Sequence, residues 1–293
     1  MRLTDYHLGL LLVTGSAIAW STAGYFTHAI ALDTPTMLAW RGIFGAIGLA
    51  AVLAFTQGPR ALTGFVTLGW QGWLYAVVSG AGMVFFITAL RNTTVAHVAV
   101  IYAAVPFVAA ALAWIVLRER PSRSAIWVSL VALIGVIVMV GLGREGSLLG
   151  DMLAFAMTVG MAVMMVMARR YPGIPVLQAA CLSALLSGLL AWPFGTPTMI
   201  SGTEFGLLAA FGLVNSALGL TLFTMGARRL PAIETGLVGA LDAPLAPLWV
   251  WLAFGEVPGI TTLIGGTIVF AAVAAHIVLS SRQAATDSLG DRR

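Results

Sequence analysis

Ten long apolar runs follow one another along the chain, at about residues 7 to 30, 35 to 56, 69 to 90, 94 to 117, 124 to 142, 148 to 168, 174 to 194, 204 to 226, 232 to 254 and 259 to 280, with short polar separators. Each is roughly 20 residues long, the length an α-helix needs to cross about 30 Å of hydrocarbon. The runs are continuously apolar and rich in Ala, Leu, Val and Gly, whereas barrel strands alternate at every second residue, so the pattern predicts helices and not a barrel. The expected fold is an all-α integral membrane protein of ten transmembrane helices, with no room for a soluble domain. Arg2, an apolar centre and the small residues around Ala17 and Ala19 imitate a secretory leader, but the apolar run continues through Trp20 to Ile30, too long for a leader's core.

Composition agrees. Of 293 residues 60% are hydrophobic and 9% charged, against about 25% charged in soluble domains, and the mean hydropathy is +0.99. All fifteen basic residues are Arg. With the N-terminus inside, twelve of them (Arg2, Arg60, Arg118, Arg120, Arg123, Arg169, Arg170, Arg228, Arg229, Arg282, Arg292 and Arg293) collect on the cytoplasmic side; Arg91 and Arg144 fall outside and Arg41 within the second run. The positive-inside rule therefore predicts both termini in the cytoplasm. Topology and anionic lipid account for the net charge of +4, so a nucleic-acid partner is not needed. A single cysteine, Cys181, excludes an internal disulfide.

The chain also repeats itself. LRNTTVAHVAVIYAAVPFVAAALAWIVLRERP (residues 90 to 121) aligns without gaps to ARRLPAIETGLVGALDAPLAPLWVWLAFGEVP (227 to 258) at an offset of 137, matching Arg91 with Arg228, Glu119 with Glu256 and Pro121 with Pro258. Two repeats, 1–146 and 147–293, each hold five runs. An odd number per repeat forces the halves into opposite orientation, the inverted architecture of many secondary transporters. Glu119, expected inside, is flanked by Arg118 and Arg120, while Glu256, expected outside, has lost both neighbours.

The order of these features, with WST in the first run, PTMLAWR opening the second and ALRNTTVAHVAVIYAAVPFVAAALAWIVLRERP across the third and fourth, resembles the EamA branch of the drug/metabolite transporter superfamily over nearly the whole chain, and within it the YddG-type exporters of aromatic amino acids. That resemblance implies export of small metabolites across a bacterial inner membrane. Asp242 departs from the pattern, because its counterpart in the first half is Val105.

Counting from helix ends places Trp20, Ser79, Tyr102, Asn215, Ser216 and Asp242 near one depth, and Ser21 and Tyr75 share faces with the first two. Tyr and Trp normally occupy the interfacial belts, so midplane examples suggest a cavity; the competing explanation is helix packing through small and polar residues. Met157 and Met161, with Met164 and Met165, form a stripe that suits either packing or a compliant wall for planar solutes. Pro106, Pro244 and Pro247 each remove a backbone donor and are expected to break or hinge their helices. Asp242 beside such a break is costly, at roughly 2.5–3.5 kcal/mol on insertion scales, and is expected to bind a substrate ammonium, cycle a proton or brace the break. Arg41 lies about six residues from the outer end of its run, close enough to snorkel outward as an anchor or to meet a carboxylate. His97 and Glu234 occupy equivalent repeat positions, as gates or caps, and His28 and His276 are expected at the interface.

Transport by alternating access is the function these features favour, and because no basic group is expected near the midplane, the substrates are small neutral, zwitterionic or weakly cationic amphipathic solutes and not phosphates or nucleotide sugars. A multidrug or quaternary-cation exporter is the alternative within the same superfamily. An intramembrane enzyme is disfavoured: there is no HExxH, no GxS motif with a midplane His and no P-loop, and hence no ATP-driven step within the chain. No cofactor, metal or ATPase subunit is expected.

Overall fold

The computed structural model describes the backbone of residues 3–93, 95–140 and 147–290 and the side chains of residues 5–86, 88–89, 92–93, 98–139 and 147–278. The side chains of Arg2, Arg91, Arg144, Arg282, Arg292, Arg293 and His97 lie outside the described residues. All ten apolar runs are helical, and no strand occurs among the described residues. In chain order they are α1a (Leu3–Ser21) and α1b (Ala23–Ala29), α2 (Thr34–Gln57), α3 (Gly69–Asn92), α4a (Val95–Tyr102) and α4b (Val105–Leu117), α5 (Arg123–Val140), α6 (Leu148–Arg170), α7 (Val176–Ala191), α8 (Gly202–Ala227), α9a (Ala232–Gly239) and α9b (Asp242–Phe254), and α10 (Ile260–Gly290). Eight are long and apolar enough to cross a membrane by length and composition; α3 and the shorter α5 stand outside that count.

Local chemistry sets the helix ends. Asp33 caps α2, accepting from the Thr36 amide at 2.6 Å with Pro35 in the first turn, and Ser201 and Glu204 cap α8 reciprocally, each pairing satisfying amides that have no partner inside the helix. Inside α8 the hydrogen-bond register slips into a π-helix over Gly212–Leu218, an irregularity frequent at functional sites.

The offset of 137 recurs in three dimensions. α4a and α4b (95–102, 105–117) and α9a and α9b (232–239, 242–254) have identical bounds once shifted. The turn between each pair carries the same bonds: Ala104 N to Ile101 O (3.1 Å) matches Leu241 N to Val238 O (3.2 Å), and Val108 N to Ala104 O (3.2 Å) matches Leu245 N to Leu241 O (3.3 Å). Both pairs end on a left-handed residue, Arg118 (φ 59°) and Gly255 (φ 71°). Glycine takes that conformation without steric cost; Arg118 is the only non-glycine residue with positive φ among the described residues.

The interruptions lie two and three residues before Pro106 and three and four residues before Pro244, where each proline ring would crowd the carbonyl four residues back, at Tyr102 and Ala240. Pro247 does not break its helix as expected: α9b runs through it. It sits only one turn from the start of α9b, where the carbonyl it would crowd belongs to the second residue of that helix.

Helices approach closely where side chains are missing. A Cβ on Gly42 of α2 would lie 2.6 Å from the Ala184 carbonyl and the Gly188 backbone of α7, and a Cβ on Gly48 would lie 2.6 Å from Ala217 of α8. α2 is therefore wedged between α7 and α8. Helices α5 and α10 cross at Gly135 and Gly265 and run antiparallel, since Met139 lies by Gly265 while Val269 lies by Gly135.

Candidate functional site

The bundle is closed at the end that carries most of the described arginines. Leu68, Tyr75, Ala109, Met165, Ala179, Phe223 and Ala232, drawn from α3, α4b, α6, α7, α8 and α9a and the approach to α3, are part of one buried cluster. Beyond it Arg169 pairs with Glu119 at 2.6 Å, Arg228 donates to the Ile174 carbonyl, and Trp70 meets the ring of Tyr171 edge-on. Towards the opposite end the packing loosens: residues 81–86 of α3 are all half-buried, a Cβ on Gly82 would meet nothing within 4 Å, and a cavity of about 380 Å³ opens among Thr22, Tyr25, Phe26, Val214, Trp249 and Leu252.

Between these ends lie the residues singled out above, in two groups. Trp20, Tyr102 and Met161 are half-buried and pack on the closed cluster. The Trp20 ring tilts against Phe223 at 4.9 Å between centroids, in a space left by Gly219, whose Cβ would lie 2.5 Å from Trp20 Nε1. Ser79 is half-buried and accepts a hydrogen bond from Ser183 at 2.5 Å. Asp242, the first residue of α9b, is half-buried and close enough to Tyr102, the last residue of α4a, to interact with it electrostatically. Asp242 thus stands at the N-terminus of a half-helix, where the backbone dipole favours negative charge.

The second group is tied into helix contacts. Tyr75 is 1% exposed inside the packed end, its hydroxyl without a hydrogen-bond partner among the described residues. Met157 is buried. Ser21 donates to the Ile18 carbonyl and accepts from Trp249 Nε1 at 2.7 Å, joining α1a to α9b. Ser216 is buried in the notch of Gly45. Such positions follow from membrane packing, in which small and hydroxylic residues let helices approach and bond backbone carbonyls.

Asn215 and Arg41 make the most connected feature. Asn215, in the π-helix, donates from Nδ2 to the carbonyls of Trp20 (3.0 Å) and Ala19 (3.3 Å), just before the break between α1a and α1b. Its Oδ1 accepts from Arg41 Nη1 at 3.0 Å. The expectation that Arg41 snorkels outward, and that no basic group reaches the interior, is corrected here. Arg41 is 7% exposed, with its guanidinium over the Phe211 ring at 5.4 Å and Nη2 against Met83 Sδ. Held by Gly42 and Gly48 between α7 and α8, α2 turns Arg41 into the bundle.

Glu234 makes no side-chain cap on α9a and is engaged by other helices. Its carboxylate accepts from the Tyr6 hydroxyl at 2.7 Å and lies 3.5 Å from His276 Nε2, tying α1a, α9a and α10 together. His276, expected at the interface, is 1% exposed. His28 is exposed as expected and pairs with Glu256 at 3.1 Å. Nothing in the sequence pattern marks Met83, Phe211 or Tyr6 for these roles, because each acquires its role from a helix distant in sequence.

Comparison with known proteins now decides the family. The EamA-like transporter family matches twice, over residues 7–141 and 148–278. The chain belongs to the EamA-like transporter family. It is therefore a multi-pass integral membrane protein of a transporter family, with a small-molecule substrate and a lipid environment. A relative of this EamA-like chain is the uncharacterized transporter YyaM of Bacillus subtilis (strain 168), 24% identical over 91% of this chain and 90% of that protein. One solved crystal structure shares the fold, with a TM-score of 0.79 over 97% of this chain and 99% of that one at 22% identity.

Proposed function

We propose that this EamA-like protein is a secondary transporter that exports small amphipathic metabolites, amino acids including aromatic ones among them, by alternating access around a central site. The two halves, 1–146 and 147–293, form inverted repeats of five membrane helices each, with both termini in the cytoplasm of a bacterial cell. The observation that carries this reading is the recurrence of the helix interruption at 103–104 and 240–241, with Tyr102 at one and Asp242 at the other. Interrupted helices in corresponding positions of two halves mark transporter binding sites, because freed backbone polarity is tolerated only against protein or a watered cavity. Trp20, Tyr102 and Met161 supply faces for an aromatic ring, and Asp242 a carboxylate for an ammonium. With the arginine-rich end inside, the packed end makes this the outward-facing state.

Asp242 within an aromatic wall also favours a second reading, export of hydrophobic cations. Purified protein in liposomes, given amino acids and quaternary cations with and without a pH gradient, separates the two. Amino-acid counterflow that Asp242→Asn weakens supports the first reading; movement of quaternary cations alone supports the second, and no movement of either class refutes both.

A further inference from the structure

Arg41 is a cation buried in a membrane bundle with no carboxylate partner. Of the described carboxylates outside the centre, Asp33 bonds Thr36 and Thr196, Asp151 accepts from Thr93, Glu119 pairs with Arg169, Glu204 bonds Ser201, Glu234 meets Tyr6 and His276, and Glu256 pairs with His28, while Asp5 is exposed in the first turn of α1a. Asp242 makes no ion pair with it either. Intramembrane charge is costly and normally paired, so the free valence of Arg41 needs an explanation.

Its geometry supplies one. A guanidinium offers a carboxylate two parallel donors along one edge, and the edge formed by Nε and Nη2 is such a fork. Nη1, on the other side, is occupied by Asn215 Oδ1. Nε has no hydrogen-bond partner, and Nη2 touches only the thioether of half-buried Met83, a weak acceptor on a flexible side chain. The fork is therefore held in place on one side by Asn215 and Phe211, and on the other it is buried with no oxygen acceptor among the described residues, Nη2 resting on Met83. Asn215 links the same guanidinium to the Trp20 carbonyl, at the helix whose indole faces the centre.

We infer that the Nε–Nη2 edge of Arg41 binds the carboxylate of the transported solute, displacing Met83. The inference rests on the transport reading and narrows it: the solute carries a carboxylate, and an ammonium on the same solute is the group that half-buried Asp242 would receive.

Three probes dissect the site: phenylalanine, 3-phenylpropionate with the carboxylate alone, and phenethylamine with the amine alone. Binding is read as a rise in melting temperature of the detergent-solubilised protein, and transport as counterflow in liposomes. The wild type is expected to bind phenylalanine and 3-phenylpropionate. Arg41→Gln is expected to weaken both by roughly 10- to 100-fold, the loss of a charge-assisted bidentate contact, with phenethylamine unchanged. Should Arg41→Gln not fold, Met83→Glu serves: it tethers a carboxylate at the fork and should abolish binding of both acids while leaving the melting temperature of the empty protein at or above that of wild type. Carboxylate binding without transport of any probe leaves this inference standing and removes the transport reading. Transport of the amine with no carboxylate binding does the reverse. Undiminished acid binding in Arg41→Gln or Met83→Glu overturns the inference, as does a wild type that binds no acid.

Discussion

Replacing Asn215 with leucine tests whether the contact between α2, α8 and the break in α1 is organised by one side chain. Leucine keeps the same branched four-atom skeleton and removes three hydrogen bonds, to Arg41 Nη1 and to the Ala19 and Trp20 carbonyls. A bond to a charged group contributes about 1.5–3 kcal/mol, and side-chain bonds between membrane helices average about 0.6 kcal/mol. The sum is about 3–4 kcal/mol, because Arg41 is then buried with neither an amide nor a carboxylate to receive it. At about 2 °C per kcal/mol for a chain of this size, the melting temperature in detergent should fall by roughly 6–8 °C. Asn215→Asp, which keeps an acceptor for Arg41 but offers the two carbonyls no donor, should recover most of the loss. A melting temperature for Asn215→Leu within 1–2 °C of wild type would refute the reasoning, as would Asn215→Asp melting below Asn215→Leu.

Trp20→Ala and Tyr102→Ala should each reduce counterflow of an aromatic solute while leaving most of the folded protein intact, since both rings are only half-buried; equal losses of folded protein and transport would assign them to packing. Gly42→Ala should lower the yield of folded protein, because its Cβ would lie 2.6 Å from the α7 backbone and overpacking costs typically 1–3 kcal/mol. Gly82→Ala, facing open space, should melt like wild type. Asp33→Ala should cost about 1 kcal/mol as a lost cap. Burial raises the Asp33 carboxyl, but bonds from Thr36 and Thr196 outweigh it and hold the group below the ordinary 3.8. Its contribution is therefore present above that value and lost as pH falls through the lower folded value, so wild type and Asp33→Ala should converge in melting temperature only below pH 3.8.

The apolar runs, their order and the repeat at offset 137 are written in the sequence, because partition into hydrocarbon depends on composition along one dimension and a duplicated stretch keeps its bonding pattern. The turns at 103–104 and 240–241 were nearly legible from Pro106 and Pro244, though not that Pro247 would be carried inside a continuous helix. What lipid-facing and bundle-facing positions share is apolarity, so hydrophobic pattern alone does not tell them apart. Position along the second run suggested that Arg41 snorkels. Only the wedging of Gly42 and Gly48 against α7 and α8 turned it inward. Glu234 read as a helix-end residue until Tyr6 and His276 met it from α1a and α10. Tertiary structure likewise decided which polar residues remain half-exposed, such as Trp20, Tyr102 and Asp242, and which are spent on other helices, such as Ser21 and Asn215. A polar side chain in a membrane bundle takes its role from the partner that packing brings within about 3 Å, and that partner lies on a different helix.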